Sequence, residues 1–209
     1  MTTLHGDQFE SLDQQAQASR LGMWVFLGSE LLLFAGLFAL YAAGRVEAPS
    51  AFHDGIAHST KILGSINTAV LITSSTFAAL SVQALRRSKR GLCLLALSAT
   101  VGLAAVFLII KFSEYSQHFQ EGIYPGGAGQ FFVSHPNRGL ALFWTLYFVS
   151  TGLHAIHVGV GILVIGFTAF GVARGSIHAE RLYPLENATL YWHLIDLVWI
   201  FLWPLYYLT

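Results

Sequence analysis

A carboxylate inside an uninterrupted apolar run is the tightest constraint on what this chain can become. Gly22–Tyr41, GMWVFLGSELLLFAGLFALY, carries Glu30 as its one ionisable residue. The hydrocarbon core of a bilayer, ~30 Å thick, takes ~20 helical residues to cross, so the run reads as a membrane span. A charged carboxylate facing lipid at that depth costs several kcal/mol. The fold must therefore turn Glu30 inward, pair it or hold it neutral. No basic residue lies close to it on its own span. The expectation is a buried carboxyl that either donates a hydrogen bond to another helix or relays protons.

Four more apolar runs follow, and composition agrees with them: 55% of residues are hydrophobic and 11% charged, against about 25% charged in a soluble domain. The reading is an all-α, integral membrane bundle of five transmembrane helices. Lys+Arg and Asp+Glu balance at 11 each, so charge gives no pull toward nucleic acid. Cys93 is the single cysteine, which excludes an intrachain disulfide and a thiolate metal cluster. Residues 1–19 are polar and acidic (Asp7, Glu10, Asp13) with no basic region ahead of an apolar core, so they read as a surface tail rather than a signal peptide.

Residues 20–209 read as one membrane domain, with helices at about 20–43, 62–85, 91–118, 139–173 and 188–208. Gly44–Lys61 reads as a polar loop. Asn67-Thr68 and Thr73–Thr76 give the second helix hydroxyls that can bond to its own backbone or to a neighbour. Arg86–Arg90 is a tight basic turn. Gly122–Arg138 is a turn-rich loop. The fourth helix lies in a charge-free interval of 35 residues, which must tilt, protrude or be buried in protein. In it Gly152, Gly159 and Gly166 recur every seven residues as a small-residue stripe suited to close helix contact. Neither a second domain nor an internal repeat is visible.

Basic residues orient the bundle. With Arg86–Arg90 in the cytoplasm, that side holds seven (Arg20, four in the turn, Arg174 and Arg181) and the other holds three (Arg45, Lys61 and Arg138). The expectation is a cytoplasmic N-terminus and a periplasmic C-terminus.

The polar residues inside the spans are the candidates for chemistry. His154 and His157, three apart, share a helix face, a spacing that can chelate a metal; the favoured reading is hydrogen bonding across helices or to a lipid headgroup. A copper pair wants thiolates or methionine, and the chain has Cys93, Met1 and Met23 alone. A bis-histidine haem would need His154 or His157 to face His193, with no further pair available. His193 and Asp196, again three apart, form either a proton-exchanging pair or, the favoured reading, an internal ion pair anchoring helix five. Lys111, Glu114 and His118 share one face at the end of helix three and read as a solvated or interfacial salt-bridge set. The residues alone leave two classes: an accessory subunit packed on a catalytic membrane protein, or a small transporter or channel. Transporters tend to show repeated halves and broken spans, and the lack of both favours the accessory class.

Five segments in order resemble subunit III of the haem-copper terminal oxidases. They are Gly22–Phe38 with its glutamate, Asn67–Ser75 (NTAVLITSS), Phe112–Tyr124 (FSEYSQHFQEGIY), Phe148–Gly161 with its T-G-x-H-x-x-H-x-x-x-G pattern, and Tyr191–Trp199 with its W-H-x-x-D-x-V-W pattern. The resemblance implies a cofactor-free accessory subunit in a bacterial inner membrane. Its partners are catalytic subunit I, subunit II and phospholipids, with a larger respiratory supercomplex left open, and haem and copper belong to the partner subunits. Its role is to stabilise subunit I and aid proton uptake. Glu30, Glu114, His154, His157 and His193 fall on the family's motif positions. The expected complex is a cytochrome c oxidase, with a ubiquinol oxidase or a nitric oxide reductase as alternatives. The full-length family form has seven spans, with the usual lipid cleft between the first two and the other five; this chain matches short forms lacking the first two.

Overall fold

The computed structural model describes residues 11–208. The first ten residues of the polar tail, and Thr209, lie outside them. The helices are α1 (Leu12–Glu47), α2 (Pro49–His58), α3 (Lys61–Arg86), α4 (Arg90–Gln120), α5 (Gln130–Ser134), α6 (Arg138–Arg174) and α7 (Tyr183–Tyr207), with one 3-10 turn at Pro125–Gly127. No strand occurs among the described residues. Five of the helices, α1, α3, α4, α6 and α7, are long and apolar enough to cross a membrane.

The helix boundaries have local causes. Ser11 caps α1, its Oγ accepting from the Gln14 amide at 3.2 Å. That cap moves the start of the first helix to Leu12, well ahead of the expected Arg20. Asn137 caps α6 by accepting from the amides of Gly139 and Leu140 at 2.9 and 3.4 Å. Gly175, at φ +80°, ends it in a left-handed turn that a side chain would strain. The 37 residues of α6 span about 55 Å at 1.5 Å per residue, far more than the hydrocarbon core. Pro184 opens α7, whose start at Tyr183 precedes the expected Ala188.

The segment expected as a polar loop at Gly44–Lys61 instead holds α2. Pro49 at its first position presets the helix. Ala51, Phe52, Gly55 and Ile56 then fall on one buried face. Phe52 meets Tyr41 and Phe143 edge-on at 5.2 and 5.4 Å, closing the bundle where α1 ends and α6 begins.

Helices α3 and α4 form a tight hairpin, with Ser88 in the left-handed region (φ 57°) at its turn. Inside it the Ser74 and Thr100 hydroxyls reach each other's carbonyl oxygens at 3.5 and 3.4 Å. α7 lies against α3, α6 and α1. It is stitched to α3 by two indole N–H donors, Trp192 to Ser74 Oγ and Trp199 to Thr68 Oγ1, both at 3.0 Å. The glycine stripe of α6 makes a close approach within this chain only in part: a Cβ at Gly152 would stand 3.6 Å from the Tyr115 hydroxyl, and one at Gly159 or Gly166 would meet nothing within 4 Å. Gly161 does that work, since a Cβ there would stand 2.7 Å from the Trp192 ring. The heptad spacing sets the stripe on the outer side of α6, and the closest approach to α7 falls between its members.

Candidate functional site

The buried face of α4 repeats through Cys93, Ala96, Leu97, Thr100, Ala104 and Phe107 and continues without a break into Lys111, Glu114 and His118. These three were expected as a solvated or interfacial set. They are instead buried, because the helix keeps its register and carries them into the core. The Lys111 and Glu114 side chains are each 1% exposed, and Lys111 Nζ lies 3.1 Å from Glu114 Oε2.

Two tyrosines from other helices complete the cluster. Lys111 Nζ donates to the hydroxyls of Tyr147 (α6) at 2.8 Å and Tyr207 (α7) at 2.7 Å. Both hydroxyls donate onward to Glu114 Oε1 at 2.8 Å. The ammonium lies 4.5 Å from the centre of the Tyr147 ring and within 5.5 Å of the rings of Tyr115, Tyr207 and Trp199, a cage with cation–π character. His118 packs on Trp144 at 4.7 Å, its Nε2 3.9 Å from Glu114 Oε1. Around the cluster, Tyr115 bonds Thr151 at 2.6 Å, Ser150 bonds Tyr206 at 3.0 Å, and the Tyr41 hydroxyl donates to the Leu205 carbonyl. The closed ring of Lys111, Glu114, Tyr147 and Tyr207 pairs charge and hydroxyls in low dielectric and fixes one arrangement of α4, α6 and α7.

The second centre joins α1 to α6. Glu30 Oε2 sits 2.8 Å from His157 Nε2, with the two side chains 18% and 15% exposed. The other ring nitrogen, Nδ1, lies 2.8 Å from the Leu153 carbonyl oxygen, and Phe34 packs edge-on to the ring at 5.3 Å. Glu30 is thus half-buried rather than sealed in, and its partner comes from another helix. The pair can hold one proton between carboxylate and imidazole, and it opens onto the outside of the bundle.

The remaining candidates do not converge. His154 is fully buried between the rings of Phe107 and Trp199, at 5.6 and 5.1 Å, and neither ring nitrogen has a hydrogen-bond partner among the described residues. His193 turns to α3, its Nδ1 2.5 Å from Ser75 Oγ, so the expected His193–Asp196 ion pair does not form. The i, i+3 spacing allowed it, but the Ser75 hydroxyl takes the imidazole. Asp196 is 5% exposed, and the same Ser75 hydroxyl faces its carboxylate. The three span histidines point to three different neighbours and do not fit a bis-histidine haem. Among the described residues, no three His, Cys, Asp or Glu side chains group as a metal site. Sequence reasoning missed Tyr147 and Tyr207, which carry no signal beyond their place on buried faces.

A family model described as cytochrome c oxidase subunit III matches residues 2–209. The chain is 28% identical over 201 residues to a probable quinol oxidase subunit 3 of Staphylococcus saprophyticus, covering 95% of this chain and 94% of that one. It is 28% identical over 214 residues to the quinol oxidase subunit 3 of Bacillus subtilis, covering 98% and 95%. It is also 26% identical over 196 residues to a heme-copper oxidase subunit I+III of Aeropyrum pernix, covering 90% of this chain and 22% of that larger one.

Proposed function

The chain belongs to the cytochrome c oxidase subunit III family, and from that premise we propose that it is an accessory subunit which packs on the catalytic subunit of a haem-copper oxidase, a partner that draws its electrons from quinol. The observation that carries the pairing is the Aeropyrum relative, a single polypeptide named for subunits I and III together, in which 90% of this chain finds its counterpart. The Glu30–His157 pair supports it on physical grounds. A carboxylate and an imidazole left partly open at mid-span are costly against lipid, and a partner helix laid over them removes that cost.

In this reading the Lys111–Glu114–Tyr147–Tyr207 cluster is a structural clasp, and Glu30 with His157 lies at the face toward the catalytic subunit, where the pair can hold or pass a proton. Neither touches the oxygen chemistry; haem and copper are carried by the partners. The quinol donor follows the names of the relatives in Staphylococcus and Bacillus and replaces the cytochrome c oxidase expected from the motifs alone. The Arg86–Arg90 turn lies in the cytoplasm and the C-terminus outside a bacterial inner membrane, by the distribution of basic residues.

The test is to tag this chain, solubilise the membranes gently and purify it. A haem-bearing partner that oxidises quinol and not reduced cytochrome c is the expected result. Purification without any haem protein overturns the accessory reading. Oxidation of cytochrome c by the complex overturns the donor. A full equivalent of haem or copper in the isolated subunit overturns the cofactor-free assignment.

A further inference from the structure

The four cations of the Arg86–Arg90 turn divide into two pairs with different work. Arg86 turns onto Glu186 of α7, Nη2 to Oε1 at 2.7 Å, and Arg20 joins the same carboxylate at 2.6 Å. Arg90 donates to the Ala173 carbonyl at the end of α6. These residues fasten the hairpin to its neighbours. Arg87 and Lys89 are exposed, and neither has a carboxylate partner among the described residues.

Both free cations stand at the rim of one groove. It runs between α3 and α4 on the outer face of the hairpin and encloses about 290 Å³. Phe77, Leu80, Leu92 and Leu95 wall it and Ala84 and Ala96 leave it room. Leu80, Leu92 and Leu95 are 46%, 54% and 66% exposed. The backbone explains the placement. Ser88 in the left-handed region reverses the chain in a few residues, so the side chains before and after it, Arg87 and Lys89, flank the open end of the slot between the helices.

We propose that this groove binds an anionic phospholipid, with the phosphate held between Arg87 and Lys89 and an acyl chain lying along Phe77, Leu80, Leu92 and Leu95. Charge complementarity selects the occupant. Two uncompensated cations at the headgroup level call for net negative charge, and the apolar slot beneath them is continuous with the span surface, where a chain entering from the bilayer needs no polar partner. The proposal rests on α3 and α4 crossing the membrane, and not on the electron donor or on which face meets the catalytic subunit. It concerns the hairpin of α3 and α4, away from the Glu30–His157 pair.

The test uses the intact solubilised complex, exchanged into micelles with equal amounts of phosphatidylglycerol and phosphatidylcholine and examined by native mass spectrometry. Each basic residue near an anionic headgroup is worth about fivefold in binding. Phosphatidylglycerol should be retained preferentially, and Arg87→Gln with Lys89→Gln should weaken its retention about twenty-five-fold while leaving phosphatidylcholine unchanged. Ala84→Phe fills the slot with both charges intact and should lose the lipid as well. A photoreactive residue in place of Leu92 then reads the occupant in native membranes. Crosslinking to lipid supports the site, and crosslinking to a polypeptide shows that a partner subunit covers the groove and overturns it. Equal retention of the two lipids, or retention unchanged in the double variant, also overturns it. Neither result bears on whether the chain co-purifies with a haem-bearing partner, so the two readings fail separately.

Discussion

Lys111→Met removes one charge from the buried cluster while keeping an unbranched apolar side chain in the same space. The ammonium it deletes has a carboxylate oxygen at 3.1 Å and two hydroxyl oxygens at 2.8 and 2.7 Å. Glu114 is left buried, still accepting from Tyr147 and Tyr207 but with no cation. Both members of the ion pair are 1% exposed, so solvent does not screen the loss. Breaking a buried pair by deleting one partner costs about 3–5 kcal/mol, and the two retained tyrosine donors put this variant at the lower end. Glu114→Gln should cost a similar amount, because it strands the ammonium among two hydroxyls and the aromatic faces. The double variant carries no uncompensated charge, so its loss should fall short of the sum of the singles by at least about 2 kcal/mol, within the range of directly contacting residues. The assay is a double-mutant cycle on the purified complex, following subunit dissociation as sodium dodecyl sulfate is titrated in. Additivity within about 0.5 kcal/mol, or a Lys111→Met protein as stable as the parent, would refute the clasp.

Gly161→Leu should destabilise the α6–α7 contact by about 1–3 kcal/mol through overpacking against Trp192, whereas Gly166→Ala, with no neighbour within 4 Å, should be neutral or gain up to about 1 kcal/mol of helix propensity; thermal dissociation of the pair of variants checks the contrast. Glu30→Gln keeps a hydrogen-bonding group opposite His157 and should assemble normally with most oxygen reduction intact, while Glu30→Ala should cost about 1 kcal/mol by leaving the imidazole unmatched; complete loss of turnover in an assembled Glu30→Gln complex would force a catalytic role on this chain. An apolar carbodiimide should modify Glu30, whose side chain is 18% exposed, before Glu114, which is 1% exposed, as read by peptide mass mapping. Reporter fusions at Ser88 and at the C-terminus should give cytoplasmic and external signals respectively.

The five spans were legible because each is an apolar run long enough to cross a bilayer, and that pattern needs no knowledge of neighbours. The clasp was only half legible. Lys111, Glu114 and His118 were visible as one helix face, but polarity was read as exposure. The better signal was periodicity: the spacing from Thr100 through Ala104 and Phe107 runs on into Lys111, so the charged triplet inherits the buried face. The tyrosines that make this affordable lie 36 and 96 residues away from Lys111, and no local pattern links them. The same limit explains His193. Its choice of Ser75 over Asp196 depends on which face of α3 stands opposite, a matter of helix rotation that spacing along α7 cannot supply. Helix α2 was hidden by His53, Asp54 and His58, although Ala51, Phe52, Gly55 and Ile56 already marked a narrow apolar stripe.

The stitching of α7 to α3 has a consequence for how such a chain is built. The hydroxyls of Thr68, Thr73 and Thr76 already bond to the carbonyls four residues back on their own helix, and the hairpin closes Ser74 against Thr100 internally. These hydroxyls are engaged within the hairpin, whereas Lys111 and Glu114 on α4 still await Tyr147 and Tyr207. α7 follows α3 along the chain and brings the donors, the indole N–H groups of Trp192 and Trp199, whose acceptors sit on α3. Synthesis thus supplies acceptors before donors. α7 meets a prepared surface as it leaves the ribosome, and two indoles, seven residues and about two turns apart, read its rotation and its depth together.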